Sequence, residues 1–146
     1  MKTQWSTSWI SSKQIRKQRK FRYNAPLHVR RKFVSAHLSK SLRSRFNRRA
    51  VPLRKGDEVQ VMRGEFTGVK GKVERVDLKK SKVFVENVKV KKVNGTEVMK
   101  ALEPSNLLVT NLFLEDKMRK KFLEKKPPAK QSEQKIDVKK TSEEAK

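Results

Sequence analysis

At 146 residues, with 39 Lys and Arg against 15 Asp and Glu, the chain carries a formal charge of +24 on a composition only 34% hydrophobic. The absence of cysteine excludes a disulfide framework and a thiolate zinc site, and two histidines, His28 and His37, make no metal cluster. Charge this far from neutrality opposes compaction by self-repulsion, so a polyanion is the natural partner, and neither a cofactor nor a small-molecule substrate is called for. No apolar run approaches the roughly 20 residues that cross a bilayer. The opening MKTQWSTSWISSKQ is too short and too polar in its middle for a secretory signal, so a cytosolic protein without membrane contact is expected.

The charge is unevenly placed. Residues 1–50 hold 15 Lys or Arg and no acid, residues 51–114 hold 13 against 8, and residues 115–146 hold 11 against 7. Residues 1–23 end in KQIRKQRKFRY, where Arg16, Lys17, Arg19, Lys20 and Arg22 surround Phe21 and Tyr23. The segment has too little apolar surface to offset the entropy of ordering, so a mobile arm is expected. Its arginines suit phosphate and its interleaved aromatics suit exposed bases. Trp5 and Trp9 read as incidental.

Pro26 suits the first turn of a helix, and LHVRRKFVSAHL continues at helical spacing, with His28, Arg30, Arg31 and Lys32 on a basic edge. Ser39 is placed to cap a second short helix, SKSLRSRFNRR, in which Leu42 and Phe46 are four apart and share one face. Arg43, Arg45, Arg48 and Arg49 occupy the other faces. Helices this short are marginal in water, so docking on the following domain or contact with phosphate must hold them.

From Val51 the pattern changes. Over Arg54 to Asp77, RKGDEVQVMRGEFTGVKGKVERVD, four of the five glycines (Gly56, Gly64, Gly68 and Gly71) punctuate runs in which apolar and polar residues alternate. Val59 and Val61 share one side of a pleat, Phe66 lies between the turns, and Val73 and Val76 face inward on the next strand. VFVENVKVKKV and TEVMKAL flank Asn94-Gly95, a hairpin signal of the type with positive φ at both central residues, and are expected to extend the sheet. Pro104 ends that strand, and SNLLVTNL supplies the last one. Five or six short strands in about 60 residues predict a compact SH3-like barrel with Gly56, Gly64, Gly68, Gly71 and Gly95 as its critical turns.

LEDKMRKKFLEKK reads as a helix, with Glu115 and Asp116 at its positive end and Leu114, Met118 and Phe122 on one face. The remainder is low in apolar residues and mixed in charge, which predicts disorder. The expected fold is thus mainly β: a basic arm with short helices over 1–50, the barrel over 51–114, a helix over 115–126 and a disordered tail over 127–146.

Catalysis needs a positioned nucleophile, base or metal. Asp57 and Glu58 fall on opposite faces of a strand, neither histidine has a companion for a triad, and the glycines lack the Lys-Ser/Thr ending of a phosphate loop, so no enzymatic activity is expected. Binding of RNA or DNA with a steep salt dependence is expected instead. Arginine-rich arms that fold on structured RNA, and the want of a groove-reading signature for DNA, favour RNA. The arginines from Arg43 to Arg54 would grip phosphate in planar forks.

The run GD-x-V-x-V-x-x-G-x-x-x-G-x-x-G-x-V-x-x-V resembles the KOW motif of ribosomal proteins and of transcription elongation factors of the NusG and Spt5 type. The elongation factors carry an α/β domain ahead of the motif, whereas a basic arm precedes it here. A free nucleic-acid chaperone is a third reading, which predicts activity on unrelated RNAs. NAPLHVRRK, LSKSLRSRFNRR, VPLRKGDEVQVMRGEFTGVKGKVERVDLKK, VNGTEV and EPSNLLVTNLFLEDKMRKKFLE, in that order over about residues 24–125, resemble one family in particular. It is the KOW-bearing large-subunit ribosomal protein counted twenty-fourth in the universal scheme and twenty-sixth in eukaryotes. The element before the motif resembles the archaeal and eukaryotic branch, and the TGVKGKV spacing the archaeal form.

That resemblance implies a protein of the cytoplasmic ribosome that binds large-subunit rRNA near its 5′ end, helps start subunit assembly and lies at the outer rim of the exit tunnel beside other ribosomal proteins. By matching positions it implies that Arg30 to Lys32, Arg43 to Arg49, Arg63, Lys70 and Lys72 face RNA. The first 23 residues depart from the usual shorter start of the family, and the tail after Lys126 is variable in such proteins, so the resemblance assigns no role to either.

Overall fold

The computed structural model describes residues 5–124. The tail expected to be disordered, and the last residues of the predicted final helix, lie outside that range.

The fold is mainly β, with one six-stranded mixed sheet, a separate two-stranded ribbon and a few short helices, an arrangement compatible with a small barrel-like fold. In chain order the strands are β1 (Ser35–Leu38), β2 (Ala50–Pro52), β3 (Glu58–Val61), β4 (Lys70–Asp77), β5 (Lys82–Val85), β6 (Lys89–Lys91), β7 (Glu97–Met99) and β8 (Leu107–Asn111). The helices are α1 (Ile15–Asn24), α2 (Leu27–Phe33), α3 (Lys40–Phe46) and α4 (Lys117–Glu124). The sheet runs β2-β1-β8-β3-β4-β5, antiparallel throughout except where β1 lies parallel to β8. Valines dominate its core: Val59, Val61, Val73, Val83, Val85, Val88 and Val109 are buried with Leu38 and Leu107.

The stretch LHVRRKFVSAHL is not one helix. Its helix ends at Phe33, Val34 leaves the helical region at φ −91 and ψ 65, and Ser35–Leu38 becomes a strand. The period changes there from helical to alternating, so that Val34, Ala36 and Leu38 enter the core between half-exposed Ser35 and His37. A strand drawn from the expected arm therefore sits inside the sheet, bonded on both edges. Between β1 and β2, α3 begins at Ser39, whose hydroxyl accepts from the Leu42 amide, and ends at Asn47 in the left-handed conformation. Leu42 and Phe46 pack against the core, as their spacing predicts.

From Trp5 onward the arm carries structure of its own. Ser6 caps a 3-10 turn over Thr7–Ser11, and the Gln18 amide donates to the carbonyls of Trp9 (3.0 Å), Ile10 (3.2 Å) and Ser12 (2.7 Å). Trp5 donates its indole N–H to the Phe21 carbonyl at 3.2 Å, and its ring lies 5.2 Å from that of Phe21, which in turn meets Phe33 edge-on at 5.9 Å. Trp5 is thus packed and not incidental, and the segment expected to be a mobile arm forms a 3-10 turn and a helix. Phe21 is 4% exposed and anchors a local aromatic cluster, so it offers no ring to a base.

Two turns differ from their expected form. Gly71 lies within β4 at no bend; a Cβ there would sit 2.8 Å from Val85 Cγ1, so glycine serves close approach of β4 to β5. At Asn94-Gly95 only Gly95 takes positive φ, +81, and Gly95 N–H bonds to the Lys92 carbonyl while Lys92 N–H bonds to Thr96. This is a type I turn closed by a left-handed glycine, the three-residue hairpin loop. The β6-β7 hairpin does not extend the main sheet; it joins the body through the Lys100 amide bonded to Val88 and a bridge from Leu102 to Val83.

Candidate nucleic-acid interface

The expected cations divide into two sets. Arg16, Lys17, Arg19, Lys20, Arg22, His28, Arg31, Lys32, Arg45, Arg49, Arg63, Lys70 and Lys72 are exposed. Arg30, Arg43, Arg48 and Arg54 are half-buried and hold the structure together.

Arg30 turns back on α1. Its Nε donates to the Ala25 carbonyl at 2.8 Å, one terminal nitrogen to Tyr23 and the other to Lys79 at 3.4 Å, so its fork satisfies carbonyls left free where α1 ends. Arg43 Nε donates to Leu38 at 2.7 Å, which ties α3 to β1. Arg48 lies over the Phe122 ring at 4.3 Å and donates to the Phe122 carbonyl at 3.0 Å, reaching from the arm to α4. Arg54 pairs with Asp116. The hydrogen bond from Arg54, followed by the Met118 amide, holds the Asp116 carboxyl below its ordinary value of 3.8.

Exposed cations come from three places. α1 presents Arg16, Lys17, Arg19, Lys20 and Arg22 around its girth, with only Phe21 buried, and leaves Tyr23 80% exposed at its end. Lys20 also stands over the Trp9 ring at 5.2 Å. α2 and α3 add His28, Arg31, Lys32 and Arg45, with Arg49 just beyond. The third place is the glycine loop joining β3 to β4, where Gly64 (φ +98) and Gly68 (φ +88) reverse the chain. A Cβ at either would meet nothing within 4 Å, so both corners face open space, while Phe66 between them packs against the core. Gly68 N–H bonds to the Val61 carbonyl at 2.8 Å and Val61 N–H to Val69 at 2.9 Å, which closes the loop as a hairpin. Arg63 enters it, and Lys70 and Lys72 leave it two apart on one face of β4.

One functional pair escaped the sequence reading. Asp57, treated there as a strand carboxylate, is fully buried. It accepts from the amides of Arg54 (2.9 Å) and Phe113 (3.0 Å) and from both terminal nitrogens of Arg119 (2.6 and 2.7 Å). Arg119, 4% exposed, also donates to the Phe113 carbonyl at 2.9 Å. The bidentate pair locks α4 over the start of β3. It also turns α4: Arg119 and Leu123 face inward, whereas Met118 (73% exposed) and Phe122 (46%), read from their spacing as sharing one face, point out.

Among the described residues no group of His, Cys, Asp and Glu could hold a metal ion, and no helix is long and apolar enough to cross a membrane. What the surface offers is cationic hydrogen-bond donors on short helices and beside the β3–β4 loop.

Residues 12–126 match the family of ribosomal proteins described as L26 in eukaryotes and L24 in archaea. The chain belongs to that family. Among similar curated proteins, all three named large ribosomal subunit protein uL24, the one from Methanosphaera stadtmanae is 48% identical over 115 residues, covering 79% of this chain and 98% of its own. That from Methanoculleus marisnigri is 50% identical over 114 residues, 78% and 94% of the two chains. That from Methanocorpusculum labreanum is 48% identical over 117 residues, 80% and 97%. The resemblance to the archaeal branch is thereby established, and with it a non-enzymatic ribosomal family. The family match begins at residue 12, ahead of α1, so the cations from Arg16 to Arg22 fall inside the family's extent and not in an extension before it.

Proposed function

We propose that this chain is a structural constituent of the large ribosomal subunit in the cytoplasm. In this reading it binds large-subunit rRNA directly near its 5′ end, helps start subunit assembly and lies at the outer rim of the polypeptide exit tunnel. Its partners are that rRNA and neighbouring large-subunit proteins. The six-stranded sheet is taken as an SH3-like barrel and Arg54 to Asp77 as its KOW element.

The observation that carries direct RNA contact is the acid-free run of exposed cations on α1, α2 and α3, in a member of a ribosomal protein family. Each phosphate neutralised there releases a counterion. Exposed cations of this density repel one another in the free chain, and rRNA removes that cost. The place near the 5′ end and at the tunnel rim is supported by the family resemblance.

The test is binding of the purified chain to two RNA fragments of equal length, one from the 5′-proximal domain of large-subunit rRNA and one from its 3′ end. Tighter binding to the 5′ fragment, persisting as salt is raised, is expected. Equal affinity for both at every salt concentration would contradict the assignment and favour a general RNA chaperone.

A further inference from the structure

Where the arm meets the sheet, a cleft of about 270 Å³ opens between the end of α1, α2, the β4–β5 turn and the short 3-10 turn at Pro104–Asn106. Its chemistry is unlike that of the open cationic surface. Phe33 gives it an apolar aromatic wall, Arg22 and Lys79 stand on its rim, and Ser35, Ser81 and Ser105 bring hydroxyls. Arg30 lines it too, but its nitrogens are spent on the carbonyls of Tyr23, Ala25 and Lys79. The one acid, Glu103, is paired with Lys82, so it does not repel an anion. Arg22 and Lys79 have no ion pair or side-chain hydrogen bond among the described residues and remain available. Ser81 is held at φ +54, a conformation that residues other than glycine seldom take, in a turn fixed by Asp77 accepting from the amides of Lys79 and Lys80.

We infer that this cleft receives one unpaired nucleotide of the bound RNA, its base against Phe33 with the serine hydroxyls at its edge and its phosphate between Arg22 and Lys79. The volume lies just below the roughly 300–1,000 Å³ of small-molecule sites, enough for one planar base and too little for paired strands. Hydroxyls donate and accept, so they suit the mixed edge of a base better than a row of phosphates. Aromatic walls are how unstacked bases are held in RNA recognition. The inference rests on the RNA-binding reading and adds a site selective for single strands.

The test compares Ser105→Trp with the unaltered full-length chain. Ser105 is exposed, so the indole fills the cleft without changing charge. The probes are a short fluorescent oligouridylate and an RNA duplex with the same number of phosphates. A loss of about tenfold in oligouridylate affinity with duplex affinity unchanged is expected, in line with the worth of one stacked base. Unchanged oligouridylate binding, or equal weakening towards both probes, would overturn the inference. Should the variant fail to fold, photocrosslinking of the unaltered chain to 4-thiouridine RNA decides. Crosslinks at Phe33 or its cleft neighbours support the site, and crosslinks confined to α1 and α3 overturn it. If the unaltered chain binds neither RNA, the RNA-binding reading itself fails.

Discussion

Arg119 shows how one side chain sets the position of an element. Its guanidinium and the Asp57 carboxylate are both withdrawn from water, and each oxygen of Asp57 also accepts a backbone amide. Removing one partner strands the other charge in the interior, a cost of about 3–5 kcal/mol, far more than any exposed pair contributes. Arg119→Met should therefore lower stability by about 3 kcal/mol or more in urea unfolding, whereas Lys120→Met, on the exposed side of the same helix, should stay within about 0.5 kcal/mol. A loss below about 1 kcal/mol for Arg119→Met would refute the role given to the pair. The pair was illegible in the sequence because its members are 62 residues apart and nothing local marks either as buried. The left-handed glycines were more legible: Gly64 and Gly68 sit between alternating runs, and only their backbone geometry had to follow. Gly71 was half-read, since its close contact with Val85 depends on a strand pairing that spacing alone does not reveal.

At the scale of elements, α3 was read almost whole, because a capping serine and an i, i+4 apolar pair are local signals, although the helix stops at a left-handed Asn47 before the expected Arg49. The strand β1 was not, because four residues of alternation following seven of helix are overridden by the longer pattern. Its parallel pairing with β8 joins elements far apart in the chain and makes the basic helices extensions of the sheet. α3 is thus held between two paired strands, with Arg43 spent on Leu38 and Arg45 and Arg49 left exposed. If those two grip phosphate, Arg45→Glu with Arg49→Glu should reduce the slope of log affinity against log salt by about 2, roughly one per lost contact. A filter-binding titration on large-subunit rRNA measures this, and an unchanged slope would exclude both from the interface. The fold should survive, because neither side chain enters the core.

Taken as a whole, the molecule separates two jobs that a chain of +24 must reconcile. A valine core with the buried Asp57–Arg119 pair gives cohesion, and arginines at element ends fasten the arm to the body. The remaining cations are left facing outward, where a polyanion would relieve their mutual repulsion. Net charge and its concentration in the first third pointed to a polyanion as partner from the start. How the arm is built was not legible, because its order depends on Phe21 meeting Trp5 and Phe33 and on Arg30 closing α1, contacts that composition does not encode. The central claim is that this chain is an integral, RNA-held part of the large subunit. The most direct measurement is sedimentation of the tagged full-length chain from cell extract, followed by a high-salt wash of the particles. The chain should travel with large subunits, withstand the wash and be freed when the rRNA is digested; recovery in the unbound fraction before the wash would contradict the account.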